Sequence, residues 1–486
     1  MRTTLATLGF ALAVTLSLGA GTLLAQQPDP LAGTWLGTLD AGGVKLRIVF
    51  NVTVDSAGAR KASMDSPDQG ANGIPVGSVT LTGDSVKFGV PAVMGGFDGV
   101  LAKDGKSIDG TWRQGTASLP LKLEKQAGPV PQPNRPQEPK PPWPYDVEDL
   151  TWPNAAAPGV TLAGTLTTPP GEGPFPTVVL VSGSGAQNRD EALLSHKPFL
   201  VLADYLTRRG IAVLRYDDRG VGQSTGSFAS ATSEDFATDA LAGVAFLKTR
   251  SRIDPRRIGI AGHSEGGIVA PMAAARSDDV AFIVLLAGTG LNGEQILLLQ
   301  TELIARAGGA AEADIASNRA MQEKIFAVLR SAPDSAAARI GTETVIREQI
   351  AGMTEQRRIE AGVDKPDAAE AAIRTQTAQA TTPWFRFFLT YEPATALRGV
   401  KVPVLAINGE KDLQVPPKQN LAAIEKALAE AGNDDVTVRE LPGLNHLFQS
   451  SATGSPTEYA QIEETLNPAA LQVIGDWILQ RFGKAR

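Results

Sequence analysis

The pattern of apolar and polar residues divides the chain into stretches with different periods. Over residues 29–126, apolar side chains recur at every second position, as in Val44, Leu46 and Ile48, and turns rich in glycine and aspartate separate the runs. A period of two is typical of strands with one buried face. We therefore predict a β-rich N-terminal domain over residues 26–127, folded as a small antiparallel barrel or sandwich.

Two tryptophans lie near the ends of this domain, each in a Gly-Thr-Trp string. The rings of Trp35 and Trp112 are large enough to stack on a sugar or a lipid, but packing in the core or at its rim is the commoner role of such side chains. We favour packing for both.

A proline-rich segment follows the β-rich domain. Residues 128–145 contain eight prolines, and such a run favours an extended conformation of ~3.1 Å per residue, a reach of up to about 50 Å. We interpret the segment as a linker that spaces two domains and carries no chemistry.

Beyond the linker, short apolar runs alternate with helical stretches, and one connection between two strands is unusually long. Residues 291–396 lie between a strand at 282–286 and one that begins near Val402. Such a length exceeds that of an ordinary loop, and apolar residues such as Leu298 and Leu329 recur in it at helical spacing. We predict a helical insertion that caps the domain.

The string Gly262-His263-Ser264-Glu265-Gly266 follows a β-branched run and precedes a stretch of small residues. Strand, sharp turn and helix in this order expose a serine hydroxyl at a helix N-terminus, and the glycines remove Cβ clashes from the cramped turn. Ser264 is therefore our candidate nucleophile.

A second match to the same five-residue pattern surrounds Ser224. A polar loop follows it, and the next helix is predicted to begin only near Ser233. We interpret Ser224 as a turn serine.

A nucleophilic serine requires a base, and the chain has three histidines. His263 lies inside the turn itself and is expected to face away from its neighbour, while His196 precedes a predicted helix. His446 follows a strand-like run and a Pro-Gly turn, which would place its imidazole at the end of a sheet strand. A surface loop histidine is the alternative for His446.

A carboxylate must orient the imidazole and stabilise its charged form. Asp412 ends a buried apolar run that breaks into a polar turn, and it lies between Ser264 and His446 in the chain. Its rivals are Glu410 and, further away, Asp435 and Glu440, each of which is more simply a solvated charge.

The oxyanion formed by serine attack needs backbone N–H donors. One is expected from Glu265, the residue after the nucleophile. The second is expected from the loop after the run at 178–181, with Ser184 as the preferred donor and Gly185 as the alternative. A phosphate-binding loop is disfavoured there because no Lys-Ser or Lys-Thr follows the glycines.

Five strings that lie in the same order along the domain carry a resemblance to a known family. They are SGSGAQNRD (182–190), DDRGVGQS (217–224), GHSEGG (262–267), NGEKDLQVP (408–416) and the stretch from Gly443 to His446. From about Asp146 onwards, the chain resembles the α/β-hydrolase superfamily, and more narrowly the secreted bacterial serine esterases that carry a β-rich N-terminal domain. Many members have His-Gly where this chain has Ser182-Gly183.

The resemblance implies an α/β-hydrolase domain over residues 146–486, with a mostly parallel sheet, a helical cap and carboxylester hydrolysis. A cap over the serine would shape an acyl pocket, and five aromatic residues from Trp384 to Tyr391 are available to line it. Most of them are more simply core residues of the cap.

Residues 1–25 have the pattern of a secretory signal peptide, with Arg2 followed by an uncharged apolar stretch. We expect export to the periplasm or the extracellular space. The cleavage site is imperfect because Leu23 takes the place of a small residue, so an uncleaved membrane anchor is the alternative.

Composition narrows the function further. The net charge of −7 and the lack of a basic cluster argue against a nucleic-acid partner. No paired histidine or carboxylate motif predicts a metal, and hydrolysis is expected to need no cofactor. The chain contains no cysteine, which excludes disulfides and lipid attachment through cysteine.

The sequence thus predicts a serine carboxylesterase that hydrolyses small or short-chain acyl esters through an acyl-enzyme intermediate. A peptidase or amidase with the same triad is the closest alternative. A ligand-binding protein with a vestigial hydrolase domain is another.

Overall fold

The structure is a computed structural model that describes residues 29–41, 44–69, 71–93, 95–114, 117–130 and 133–483. The predicted signal peptide at 1–25 lies outside these residues. In the described part of the chain, no helix combines the length and the apolar character that a membrane span requires.

The N-terminal domain is a nine-stranded antiparallel sheet that curls around its own core. Its strands are β1 Gly33–Ala41, β2 Val44–Val54, β3 Arg60–Ser66, β4 Ala71–Val76, β5 Ser78–Thr82, β6 Ser85–Val90, β7 Gly95–Leu101, β8 Ser107–Gln114 and β9 Ala117–Lys125. They pair in the order β4-β3-β2-β1-β9-β8-β7-β6-β5, and β3 lies close to β5, so the sheet is nearly closed. Trp35 and Trp112 are buried in its interior beside Phe50 and Phe97, so both have the packing role that we favoured.

The proline-rich segment does not hold the domains apart. The Arg135 guanidinium donates hydrogen bonds of 2.8–3.2 Å to four backbone oxygens of the following domain, and Glu138 forms an ion pair with Lys197 at 3.1 Å. Gln137 exchanges further bonds with the backbone of Leu466. The expected spacer is therefore docked, because its polar side chains satisfy backbone groups that would otherwise face water.

The second domain contains an eight-stranded, mostly parallel sheet. Its strands are β10 Asp146–Pro153, β11 Thr161–Thr168, β12 Phe175–Val181, β13 Ala212–Tyr216, β14 Ile253–His263, β15 Phe282–Leu286, β16 Val404–Gly409 and β17 Val436–Leu441. The order is β10-β11-β13-β12-β14-β15-β16-β17, with antiparallel pairing only from β10 to β11 and from β11 to β13. The predicted α/β class is confirmed.

Helices cover both faces of this sheet. They are α1 Pro198–Arg208, α2 Ser233–Leu247, α3 Gly266–Ala274, α4 Gly293–Ala307, α5 Glu312–Ser331, α6 Ser335–Gly352, α7 Glu355–Glu360, α8 Pro366–Ala380, α9 Pro383–Thr390, α10 Pro393–Leu397, α11 Pro417–Glu430 and α12 Pro468–Phe482. One core packs α2, α3 and α11 against the sheet, and the other packs α1 and α12 against the opposite face. Polar loops therefore meet at the carboxyl edge of the parallel strands, where sites form in such sheets.

The long connection between β15 and β16 folds into the helices α4–α10, so the predicted helical insertion is confirmed. It has a small core of its own, in which Leu298, Phe326, Leu329 and Leu389 are buried. The period of its apolar residues predicted these helices because each of them buries one stripe.

Candidate active site

Ser264 occupies the sharp turn between β14 and α3. Its φ is +53°, a left-handed conformation that is costly for a residue other than glycine. The flanking glycines make room for the turn: a Cβ on Gly262 would lie 1.9 Å from the carbonyl oxygen of Gly266, and one on Gly266 would lie 2.2 Å from that of Val181. The sequence thus forms this turn because two positions have no side chain.

The imidazole of His446 and the carboxylate of Asp412 are joined at the carboxyl edge of the sheet. His446 Nδ1 lies 2.8 Å from Asp412 Oδ2, and both side chains are buried. Asp412 Oδ1 accepts hydrogen bonds from the amides of Gln414 and Val415, each at 2.8 Å, which fix the carboxylate. Since a carboxylate only accepts, Nδ1 donates, and Nε2 is the nitrogen left with a lone pair.

The three carboxylates that were alternatives to Asp412 either bond to other residues or are exposed. Glu410 accepts a hydrogen bond from the amide of Gly443, and Asp435 pairs with Arg481. Glu440 is exposed on β17. None of these three bonds to His446.

A cavity of about 680 Å³ contains both Ser264 and His446 in its wall. Gly183 and Ser184 line the same cavity, so the loop after β12, the turn at Ser264 and the loop after β17 converge there. Nε2 of His446 bonds to no residue in the described ranges and belongs to a ring that lines this space. Residues more than 180 positions apart in the chain thus share one solvent-accessible site.

The loop after β12 passes directly against the serine turn. A Cβ on Gly183 would lie 3.2 Å from the Cβ of Ser264. The amide of Gly183 is already bonded to Glu191 at 2.7 Å, whereas those of Ser184 and Glu265 donate to no acceptor in the described chain. Ser184 lines the cavity and Gly185 does not, which favours Ser184 over its alternative as the second amide donor.

The carboxylate of Asp218 fixes the loop after β12 through two hydrogen bonds. Its carboxylate accepts from the Ser182 hydroxyl at 3.0 Å and from the Gln187 amide at 2.9 Å. Burial raises the pKa of Asp218 to about 8, and the charges of Glu265 and Glu191 act in the same direction. The loop residues of the SGSGAQNRD string are therefore tied to the DDRG string.

His263 and Glu191 form a second acid–imidazole pair that the sequence analysis missed. His263 Nδ1 lies 2.9 Å from Glu191 Oε1, its Nε2 lies 3.1 Å from the backbone oxygen of His446, and the two imidazole rings are 4.9 Å apart. Burial lowers the pKa of His263, but the carboxylate of Glu191, the backbone oxygen of His446 and the charge of Asp412 together outweigh burial, and the net pKa is raised. Both ring nitrogens face acceptors, so only the doubly protonated ring satisfies both.

Glu191 thereby connects three segments, since its Oε1 also accepts from Gly183. It is 3% exposed and has a φ of +49°. The one signal in the sequence was its place directly after the SGSGAQNRD string. We expected His263 to face away from its neighbour Ser264, but both residues line the same cavity.

Ser224 and His196, the two remaining alternatives from the sequence analysis, are hydrogen-bonded to other groups. Ser224 donates to the backbone oxygen of Asp217 at 2.7 Å and accepts from the amide of Ala163, as a turn serine does. His196 also lines the cavity, but burial lowers its pKa to about 4, and its ring bonds to Thr465 and to the backbone of Tyr459. It is therefore neutral at ordinary pH.

The cap does not line the cavity. Of the described residues of 291–396, none is in its wall, so the aromatic residues from Trp384 to Tyr391 are not pocket residues. The Trp384 indole instead donates to the buried carboxylate of Glu265 at 2.7 Å and stacks on Phe388 at 5.2 Å. The Glu265 carboxylate also accepts from Ser233, so it fastens the cap and α2 to the serine turn.

Within the described ranges, no group of three or more His, Cys, Asp or Glu side chains is arranged to hold a metal ion.

Comparisons with known proteins identify the family of the chain. The model of a family described as serine aminopeptidase, S33, matches residues 195–450, which include Ser264, Asp412 and His446. Esterase EstD of Thermotoga maritima is 27% identical over 320 residues, a match that spans 66% of this chain and 66% of that protein.

Among solved structures, an α/β hydrolase named GrgF from Penicillium sp. sh18 has 16% identity and a TM-score of 0.41, with coverage of 69% of this chain and 99% of that one. The esterase Pf2001 of Pyrococcus furiosus has 16% identity and a TM-score of 0.39, with coverage of 70% and 93%.

Proposed function

The chain belongs to the serine aminopeptidase S33 family of α/β hydrolases, and from this premise we propose that it is a serine carboxylesterase. Its substrates are small or short-chain acyl esters, and the reaction passes through an acyl-enzyme. The esterase relative from Thermotoga maritima supports this choice of reaction.

In the proposed reaction, Oγ of Ser264 attacks the ester carbonyl while Nε2 of His446 accepts its proton. Asp412 keeps the ring in the required tautomer and stabilises its positive charge. The amides of Ser184 and Glu265 bind the oxyanion, and each such donor contributes about 3 kcal/mol to stabilisation of the transition state. His446 gives the proton to the leaving alcohol, and water then hydrolyses the acyl-enzyme by the same steps.

One observation carries the proposal. The Nδ1 of His446 is engaged by Asp412 at 2.8 Å, which leaves a basic Nε2 on a ring that shares its cavity with Ser264. A serine, a base and an orienting carboxylate are the groups that acyl transfer requires.

The family description favours a second candidate, an aminopeptidase with the same triad. Such an enzyme must bind the positively charged amino terminus of its substrate, which calls for a carboxylate in the cavity. Glu191 is the one carboxylate among the described residues of the cavity wall, and it is engaged by Gly183 and His263. This arrangement favours the esterase.

The test combines substrates with a covalent label. We expect hydrolysis of nitrophenyl esters of short acyl chains and little turnover of aminoacyl anilides. A fluorophosphonate should label one tryptic peptide, and Ser264→Ala should lose the label and nearly all turnover.

Ser224→Ala is the matched control and should keep both label and turnover. Faster cleavage of the anilides would favour the peptidase. A wild-type protein that neither reacts with the phosphonate nor cleaves either substrate would instead be a ligand-binding protein with a vestigial hydrolase domain.

We further propose that the protein is exported to the periplasm or beyond the cell, on the basis of the pattern at residues 1–25. The substrate is a small-molecule ester, and the reaction needs no cofactor, metal or nucleic acid. Fractionation of cells that express the full chain tests the location, and activity confined to the cytosol would contradict it.

A further inference from the structure

The cavity of Ser264 opens toward the N-terminal domain. Asn72 at the start of β4 is part of its wall, opposite residues of the loop before α1 such as Leu194 and Ser195. Since the described cap residues take no part in the wall, the N-terminal domain takes the place that we expected the cap to have. The site is thus built from both domains.

A second cavity of about 340 Å³ lies beside the first. The two share Asn72 and Ser195 in their walls, so the cavities adjoin, and we call them together the trough, which reaches from Ser264 to the N-terminal sheet. Thr34, Asn51 and Asp65 of the first three strands line its far part, together with the beginning of the linker.

Hydrogen bonds between the domains fix the shape of this trough. The hydroxyl of Ser195 donates to the backbone oxygen of Pro67 at 3.4 Å. Arg135 donates to the backbone oxygens of Leu194 and Ser195 at 3.0 and 3.2 Å. The wall that contains Ser195 is therefore tied to both the N-terminal domain and the linker.

The part of the trough near the serine offers polar groups that have no partner in the described protein. These groups are the side-chain amides of Asn72 and Gln187 and the hydroxyl of Ser184, all in the cavity wall. An acyl chain placed against them would displace their water without replacing its hydrogen bonds, which is unfavourable. The trough is therefore suited to a substrate that both donates and accepts.

The far part of the trough is also lined by side chains that can form hydrogen bonds. The Thr34 hydroxyl donates to Asn51 at 3.0 Å, and Asn51 donates to Asp65 at 2.8 Å, a row that leaves further acceptor positions open. The carboxylate of Asp65 repels anions, and Lys197 in the first cavity is paired with Glu138. An uncharged, hydroxyl-rich group fits these walls better than a carboxylate or phosphate does.

We propose that the trough binds the sugar or polyol part of an ester whose acyl group is transferred to Ser264. Asn72 and Gln187 bind hydroxyl groups next to the cleaved bond, and Asn51 and Asp65 bind those further away. This inference rests on the proposed esterase function and assigns the N-terminal domain a role in substrate selection.

The test compares two substrates, 4-nitrophenyl acetate and an acetylated xylo-oligosaccharide, with release of nitrophenol or acetate as the readout. Asn72→Ala should lower the ratio of kcat/KM for the saccharide to that for the nitrophenyl ester by about three- to tenfold, the usual effect of one hydrogen bond. The change should lie in KM for the saccharide. Asn72→Trp should lower the ratio further, because the indole narrows the trough.

Asn318→Ala on α5 is the control, since it changes an exposed asparagine away from the trough. It should leave both rates unchanged. An unchanged ratio in both Asn72 variants would overturn the inference, and so would a wild-type enzyme that cleaves the nitrophenyl ester but not the saccharide. Preferred cleavage of 4-nitrophenyl decanoate would assign the trough to an acyl chain and also overturn it. Wild-type protein that cleaves no ester would instead refute the proposed function itself.

Discussion

At the scale of single residues, the site depends on two carboxylate–imidazole pairs with different tasks. Asp412 fixes the tautomer of His446, while Glu191 connects His263 to the loop that carries Ser184. In the first pair, one ring nitrogen remains without an acceptor among the residues that the structure describes. In the second, both nitrogens face acceptors, which favours the doubly protonated, positively charged form of His263.

This difference predicts the pH dependence of stability. The pKa of His263 is raised above 6.5, so its contribution is complete below about pH 6.5 and is lost as pH rises through its folded-state pKa. The difference in unfolding free energy between wild type and His263→Gln should therefore shrink above pH 6.5. Urea unfolding of both proteins from pH 5.5 to 9 measures this difference in unfolding free energy.

His196 is the matched control, because its pKa is shifted in the opposite direction from that of His263. Its pKa is lowered from 6.5 to about 4, so its contribution is present above pH 6.5 and is lost as pH falls toward 4. The difference between wild type and His196→Gln should shrink at acidic pH. If the His263→Gln difference instead grows with rising pH, His263 is neutral in the folded protein.

The placement of Ser264, Asp412 and His446 at one edge of the sheet could be predicted from the sequence because each follows a predicted strand. Parallel strands end at one edge, so chain order alone brings such residues together. The pair of Glu191 and His263 could not be predicted in this way. Glu191 is 72 residues from His263 and lies in an irregular loop. Its contact with His263 depends on the path of that loop, which the spacing of apolar residues does not predict.

At the scale of elements, close contact of backbones positions the serine. Helix α3 begins directly after the turn and lies so near the loop after β15 that a Cβ on Gly267 would be 2.4 Å from Cα of Gly288. Because both contacting groups are backbone atoms, no flexible side chain could move to make room for a Cβ on Gly267. The helix N-terminus is held at a fixed depth against the sheet.

Gly267→Ala should therefore destabilise the protein by about 1–3 kcal/mol, the usual cost of overpacking. It should also lower kcat by displacing the amide of Glu265. Urea unfolding and ester turnover measure the two effects.

Gly352→Ala at the end of α6 is the control, because apart from its chain neighbours and its own helix backbone, no atom of the described residues lies within 4 Å of the added Cβ. It should leave stability unchanged or raise it by up to about 1 kcal/mol through reduced freedom of the unfolded chain. Equal effects of the two variants would mean that contact with Gly288 is unimportant.

The period of apolar residues predicted the cap helices but not their position. Leu298 and Leu329 indicated which faces are buried, yet the partner of each face depends on contacts between distant parts of the chain. The hydrogen bond from Trp384 to Glu265 is one such contact, and it directs the cap aromatics toward the core and away from the cavity.

At the scale of the whole molecule, the linker makes the two domains one body. Arg135 satisfies four backbone oxygens on two separate segments of the second domain, near Leu194 and near Ala460. A shorter side chain in place of this partly buried guanidinium would leave those oxygens without their hydrogen-bond donor.

Arg135→Ala should release the linker and separate the unfolding of the two domains. Each hydrogen bond lost from these partly buried carbonyls costs about 0.5–1.5 kcal/mol, and the released linker should be cut faster in limited proteolysis. Calorimetry should then resolve two transitions. Arg113→Ala, at an exposed position on β8, is the control and should leave a single transition.

The composition of residues 128–145 predicted an extended segment, and it could not predict that the segment docks. Proline fixes the local conformation, whereas Arg135 and Gln137 decide what the chain lies against. A few polar side chains among eight prolines, Glu138 included, thus determine the position of the segment more than its extended length does.

The position of the cap has a kinetic consequence. Because its helices are fastened beside the serine turn and none of their described residues is in the cavity wall, they do not have to move before an ester reaches Ser264. Turnover of a sparingly soluble ester should thus saturate smoothly with concentration, with no jump in rate when droplets or micelles form.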